Sequence, residues 1–222
     1  MADRKRRKVN TPRDAPAAER GFRFLKMNER EGKPRTRGIT EIRGPYYSVM
    51  GRRYLEDVLE TMGAYVDALK FAGGSFSLMP RPAVEGLIES CHAHDVLVST
   101  GGFMEYVLTQ GSDAVRSYIA ECADYGFDII EISAGFITLP TDDWLRLIEA
   151  VQEAGLKAKP EVGIQFGAGG GATTVAELEA EGQQDPAQAI GRARRFLDAG
   201  AYMIMVESEG ITENVPRMRT DV

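Results

Sequence analysis

Two cysteines among 222 residues leave no room for a disulfide framework. Cys91 and Cys122 read instead as packed thiols of a reducing, intracellular setting, and Cys122 sits at core spacing in a helical stripe. Excess positive charge is also lacking. The formal net charge is −6, which gives no general reason to expect a nucleic-acid partner. No apolar run approaches transmembrane length, and the charged, polar N-terminus does not read as a signal peptide, so no membrane partner is expected. No G-x-G-x-x-G motif follows the first predicted strand, which removes the usual dinucleotide fingerprint. Only two histidines are present, His92 and His94. They fall at the end of a predicted helix, where a solvated terminus is expected rather than a metal cluster.

What is present is ordinary globular composition, 43% hydrophobic and 27% charged, long enough for one substantial core. Residues 1–33 differ from the rest. They carry Arg4-Lys5-Arg6-Arg7-Lys8, then Pro, Ala and mixed charge with little periodicity, and are expected to be a disordered basic tail. The basic run is read as a solvated tail, with a nuclear import signal or an anion-binding arm as the alternatives. Phe22 and Phe24 are candidates to anchor the later tail. Residues 34–222 are expected to form one barrel domain.

In that domain short apolar runs alternate with helical patterns. Strands are expected at Gly38–Ile42, Ala64–Phe71, Val96–Thr100, Ile129–Ser133, Ala158–Val162 and Tyr202–Glu207. Helices are expected at Arg53–Met62, Ala83–His92, Ala114–Tyr125, Asp143–Ala154 and Ala187–Ala199. Thr141 or Asp142 is the expected N-cap of the fourth, and Asp185-Pro186 opens the fifth. Three helices run into Gly126, Gly155 and Gly200 and then straight into a strand. Repeated units of this kind build a parallel sheet with near-continuous apolar strands.

The spacing selects the architecture. From Lys70 to Gly101 is 31 residues, and the next two steps, to Glu131 and Glu161, are 30 each. That is the length of one unit of a TIM (β/α)8-type barrel. The step from Glu161 to Glu207 is 46, with the excess in Gly167–Thr174 and the helical piece after it. A phosphate cradle at Gly167–Thr174 is a weak alternative to a plain connection, because the Lys-Ser/Thr ending of a P-loop is missing.

A parallel barrel keeps its site at the C-terminal ends of its strands. Lys70, Ser99, Thr100, Glu105, Glu131, Ser133, Glu161 and Glu207 all fall there. For any one carboxylate, a salt bridge or helix cap explains it equally well. Several around one mouth suit a hard dication such as Mg²⁺, which takes oxygen ligands, waters and a substrate oxyanion. A lysine beside them would neutralise an anionic substrate or transfer a proton. Arg35 and Arg37, ahead of the first strand, are further candidates to reach an anion.

The segments carrying these residues resemble the phosphosulfolactate synthase family. They are Pro34–Thr40, Asp67–Ser75, Ser99–Tyr106, Gly126–Gly135, Lys159–Gly163 and Ala199–Glu207, in family order over about Pro34 to Asn214. The resemblance implies a TIM-barrel lyase that adds sulfite to phosphoenolpyruvate with Mg²⁺, giving (2R)-phospho-3-sulfolactate, the opening step of coenzyme M biosynthesis in some archaea. The family also includes plant heat-stress proteins, so the alternatives are a non-catalytic stress protein on the same scaffold and a Mg²⁺-dependent barrel enzyme acting on another phosphorylated acid. By matching motif, Lys70, Glu105 and Glu131 are the catalytic candidates. Arg37, Ser99, Thr100 and Ser133 are the substrate-binding candidates, and Glu131, Glu161 and Glu207 the metal ligands. Ile164-Gln165-Phe166 stands where archaeal members carry lysines. The chain stops at Val222, where the family continues through two more strands, so a six-stranded, unclosed sheet is expected. Cytoplasmic location fits these features, and the oligomeric state stays open, a homo-oligomer included.

Overall fold

A computed structural model describes residues 30–45, 50–133, 139–163 and 186–207, with isolated residues and short stretches at 21–28, at 137 and at 212–220. Six strands are β1 (Glu41–Arg43), β2 (Ala68–Lys70), β3 (Leu97–Ser99), β4 (Ile129–Ile132), β5 (Lys157–Val162) and β6 (Met205–Val206). Helices α1 (Arg52–Met62), α2 (Arg81–Ala93), α3 (Met104–Leu108), α4 (Ser112–Tyr125), α5 (Thr141–Glu153) and α6 (Pro186–Asp198) lie between them. The sheet order is β1-β2-β3-β4-β5-β6, and the registered pairs are parallel. Sequential order of parallel strands is the barrel arrangement, whereas a doubly wound sheet reverses direction partway. Six strands with β1 and β6 at the edges make an incomplete TIM-type sheet among the described residues, as the spacing predicts. Among those residues no helix is long and apolar enough to cross a membrane.

The chain divides into two compact units, residues 1–71 with 75–98 and residues 72–74 with 99–222. In the first, β1 and β2 pair with Ile42 opposite Leu69 and Arg43 opposite Lys70. Leu55 and Leu59 of α1 and Val84, Leu87, Ile88 and Cys91 of α2 are buried, as their helical spacing predicts. The second strand is shorter than expected. Gly63–Tyr65 form a 3₁₀ turn, and the ladder begins only where the Asp67 and Ala68 amides donate to Thr40 O. Before β1, three basic residues tie the chain down. Arg35 binds Asp67 at 2.7 Å and Ala64 O at 2.6 Å. Arg30 donates to Gly38 O, Thr40 Oγ1 and Tyr65 O, and Lys33 to Gly63 O and His94 O. Arg30 and Lys33 therefore belong to the folded body although the sequence reads as tail up to Lys33. Phe22 and Phe24 stack on each other and stay 76% and 83% exposed, so they are not the anchor.

In the second unit, β4 pairs with β5 from Ile129–Lys157 to Ile132–Pro160, and β5 with β6 at Glu161–Met205. Val115, Tyr118, Ile119 and Cys122 of α4 and Trp144, Leu147, Ile148 and Val151 of α5 form the buried stripes. The helix ends follow one rule. At Gly126, Gly155 and Gly200 the φ angle is positive, and the following amide reaches back five residues, as Phe127 N to Cys122 O, Leu156 N to Val151 O and Ala201 N to Phe196 O. In the first unit α2 ends the same way, with Asp95 at φ 54° in the glycine position and Val96 N bonded to Cys91 O. The helix starts differ from expectation. The N-cap of α5 is Pro140, with no side-chain cap. Asp142 and Asp143 instead lie in the first turn, where they oppose the helix dipole and pair with Arg195 and Arg146. Asp185, Ile164–Phe166, Gly167–Thr174 and the Arg4–Lys8 run lie outside the described residues.

Candidate active site

The site is built on alternate residues of β4 and β5. Register places Glu131 opposite Lys159, and their side chains meet at 3.1 Å with 2% exposure each. A buried ion pair of this kind stands only because each charge compensates the other. The strand also holds Glu131 through its backbone, since the Glu131 amide donates to Thr100 Oγ1 at 3.2 Å. Lys159 was not among the residues singled out from sequence. The alternation Lys157, Lys159, Glu161 along an otherwise buried strand is the signal, and only the register with β4 shows its partner.

Two residues on, Glu161 hydrogen-bonds to Glu207, the residue directly after β6. Burial first, then that hydrogen bond and the charges of Glu207, Glu131 and Glu105, push the Glu161 carboxyl up to about 9. Glu161 therefore carries a proton at neutral pH and shares it with Glu207. Glu105 belongs to the first turn of α3. Four of the expected carboxylates thus act on one another within the second unit. Among the described residues no three His, Cys, Asp or Glu side chains are arranged to hold a metal ion. The Glu161–Glu207 pair nevertheless fits Mg²⁺, which is commonly held by one or two carboxylates, with waters and substrate oxygens completing the shell. A dication there would replace the shared proton and relieve the crowding.

Ser99 and Ser133 are buried, at 0% and 3% exposure, and the Oγ of each has no hydrogen-bond partner. Thr100 is the opposite case. Its Oγ1 accepts from the Glu131 amide and donates to Gly101 O, and Tyr118 of α4 lies within hydrogen-bonding reach. Thr100 thus ties the end of β3 to β4, and its side chain is engaged in that frame. Burial raises the Tyr118 hydroxyl well above its usual range and pushes the Cys122 thiol up to about 12.

The remaining candidates lie in the first unit. Lys70 is half-buried at the end of β2, and its carbonyl accepts from Gly44 N. Arg37 lies before the start of β1, 82% exposed and paired with Glu31 at 2.5 Å. Arg35 is committed to Asp67. His92 and His94 end α2 as a helix terminus, as expected.

Comparison with known proteins bears on the family of the chain. The chain is 36% identical over 208 residues to HEAT-STRESS-ASSOCIATED 32 of Arabidopsis thaliana, covering 90% of this chain and 73% of that protein. It is 29% identical over 194 residues to the phosphosulfolactate synthase of Methanothermobacter thermautotrophicus, covering 87% and 69%. A truncated 3-deoxy-D-arabino-heptulosonate 7-phosphate synthase from Thermotoga maritima superimposes with a TM-score of 0.40 at 20% identity, over 76% of this chain and 50% of its own. The family model described as (2R)-phospho-3-sulfolactate synthase (ComA) matches residues 28–222. Parallel strands in barrel order, the carboxylates at their ends and this match together place the chain in the (2R)-phospho-3-sulfolactate synthase (ComA) family.

Proposed function

We propose that the protein catalyses Mg²⁺-dependent addition of sulfite to phosphoenolpyruvate, giving (2R)-phospho-3-sulfolactate. The observation that carries this reading is the hydrogen-bonded Glu161–Glu207 carboxyl pair two residues along β5 from the buried Glu131–Lys159 ion pair. The reaction needs both kinds of group. The sulfur lone pair of sulfite bonds to the methylene carbon of the enol phosphate. The double-bond electrons move onto the neighbouring carbon and into the substrate carboxylate, and that carbon then takes a proton. Mg²⁺, when bound, would stabilise the charge on the carboxylate. Glu161 and Glu207 would hold it. Lys159, paired with Glu131 at 3.1 Å, is the cation and proton donor that the buried site would supply. Glu105 adds negative charge that favours the dication.

The test is purified protein with phosphoenolpyruvate, sulfite and Mg²⁺, assayed for phosphosulfolactate by mass spectrometry. Product that disappears with chelator and in Lys159→Met supports the reading. A folded, full-length protein that makes no product and binds no phosphoenolpyruvate overturns it. That outcome favours the second reading, a non-catalytic heat-stress protein, which the 36% identity to the Arabidopsis relative supports.

A further inference from the structure

The turn between β3 and α3 holds donors with nothing to donate to. Gly101 is buried, with φ 64° in the left-handed region. Thr100 N donates to Ile129 O, and the ladder stops there. Among the described residues the amides of Gly101 and Gly102 donate to no carbonyl or side chain. Successive amides around a left-handed residue form a concavity with partial positive charge, the backbone arrangement that binds anions. A third donor faces the same turn. A Cβ on Gly102 would stand 3.3 Å from Ser133 Oγ and 3.4 Å from Glu131 Oε1. Ser133 is 3% exposed, and its hydroxyl has no partner. Gly102 is half-buried, but the Ser133 hydroxyl is enclosed, and an orphaned buried donor is rare in native proteins and marks a place where something else completes its hydrogen bonds.

We infer that Gly101, Gly102 and Ser133 form a subsite for a small oxyanion, with the two amides and Ser133 Oγ–H as donors. Glu131 Oε1 also faces it, which by itself opposes an anion. Its charge is compensated by Lys159 at 3.1 Å, so the pair leaves the subsite without net negative charge. Residue 102 is glycine because of space rather than conformation. Its φ is not in the left-handed region, but a Cβ would press on Ser133 Oγ and touch Glu131 Oε1. The inference rests on the sulfite-addition reading for its choice of ligand, since sulfite and the phosphate of phosphoenolpyruvate are both small oxyanions.

Calorimetric titration of the full chain with sulfite and, separately, with inorganic phosphate tests the subsite and distinguishes the two sources. The anion that binds is expected to lose about tenfold in affinity in Gly102→Ala, and about as much in Ser133→Ala, the scale of one hydrogen bond to a charged group. The melting temperature of Ser133→Ala should stay close to that of the parent. If Gly102→Ala does not fold, Ser133→Ala decides alone. Folded variants that keep the parent affinity, or a parent that binds neither anion, overturn the subsite. A parent that binds the anion and makes no phosphosulfolactate overturns the sulfite-addition reading and leaves the subsite standing. Product formed with undiminished anion affinity in both variants does the reverse.

Discussion

Charged side chains gather at strand ends in both units, with opposite outcomes. Ahead of β1 and β2, Arg30, Lys33, Arg35 and Asp67 are saturated. Each cation donates to backbone carbonyls, and Asp67 accepts from two guanidiniums and the Thr40 amide. At the ends of β5 and β6, Glu161 and Glu207 press together, and Glu161 keeps its proton up to about 9. The first arrangement is complete as it stands and acts as a clamp. The second is relieved only by a proton or a cation, which is how a binding site differs from a structural ion pair.

The sharpest way to break this contrast is Lys159→Met. It strands the buried Glu131 charge and should cost about 3–5 kcal/mol in chemical denaturation. Adding Glu131→Gln in the same chain should restore most of that stability, while activity stays lost in both. A double variant as unstable as the single would show that the pair is not compensating. Asp67→Ala should cost about 3 kcal/mol, because it leaves the buried Arg35 guanidinium without its counter-charge and the Thr40 amide without its acceptor. Its response to Mg²⁺, read as a shift in melting temperature, should match the parent. A lost response would mean that the clamp shapes the site.

Glu161 provides a pH test. Its folded value of about 9 lies above the ordinary carboxylate value of 4.5. The folded state therefore holds a proton that the unfolded chain has released. That contribution to stability is fullest below about 4.5 and is lost as pH rises toward 9. Metal-free protein should accordingly melt lower at pH 8 than at pH 5, and Mg²⁺ should raise the melting temperature more at pH 8. Glu161→Gln should flatten both dependences and lower turnover on the order of a hundredfold, since the carboxylate proposed to hold Mg²⁺ is gone. A Mg²⁺ shift that survives in Glu161→Gln would move the metal elsewhere. The smallest effect concerns Cys122, whose buried thiol is pushed up to about 12. Its alkylation at pH 8 should wait for unfolding, and rapid labelling of the native chain would show that α4 opens locally.

Much of the fold was legible because the determining signals are local. Gly126, Gly155 and Gly200 mark helix ends through their own φ angles, and the buried faces of α4 and α5 follow from spacing alone. Asp95 was missed as the fourth such terminus because a non-glycine rarely takes the left-handed turn. The second strand is shorter than its composition predicts because Ala64–Val66 has no ladder partner, and pairing begins where the Asp67 and Ala68 amides donate to Thr40 O. The expected side-chain cap at Thr141 or Asp142 gives way to Pro140, since cap preference is weak beside the geometry of the entering chain.

The sequence by itself determined the repeating unit, the parallel order and the set of carboxylates that end the strands, because spacing and periodicity belong to the chain. Tertiary structure decided which charges are spent and which remain. Only register sets Glu131 against Lys159, only the meeting of β5 and β6 sets Glu161 against Glu207, and only the packing of the β3 turn on β4 brings Gly102 to Ser133. The physical reason is distance. Coulomb and hydrogen-bond energies change steeply over a few ångströms, and residues 28 to 46 positions apart acquire such distances only when the strands pair.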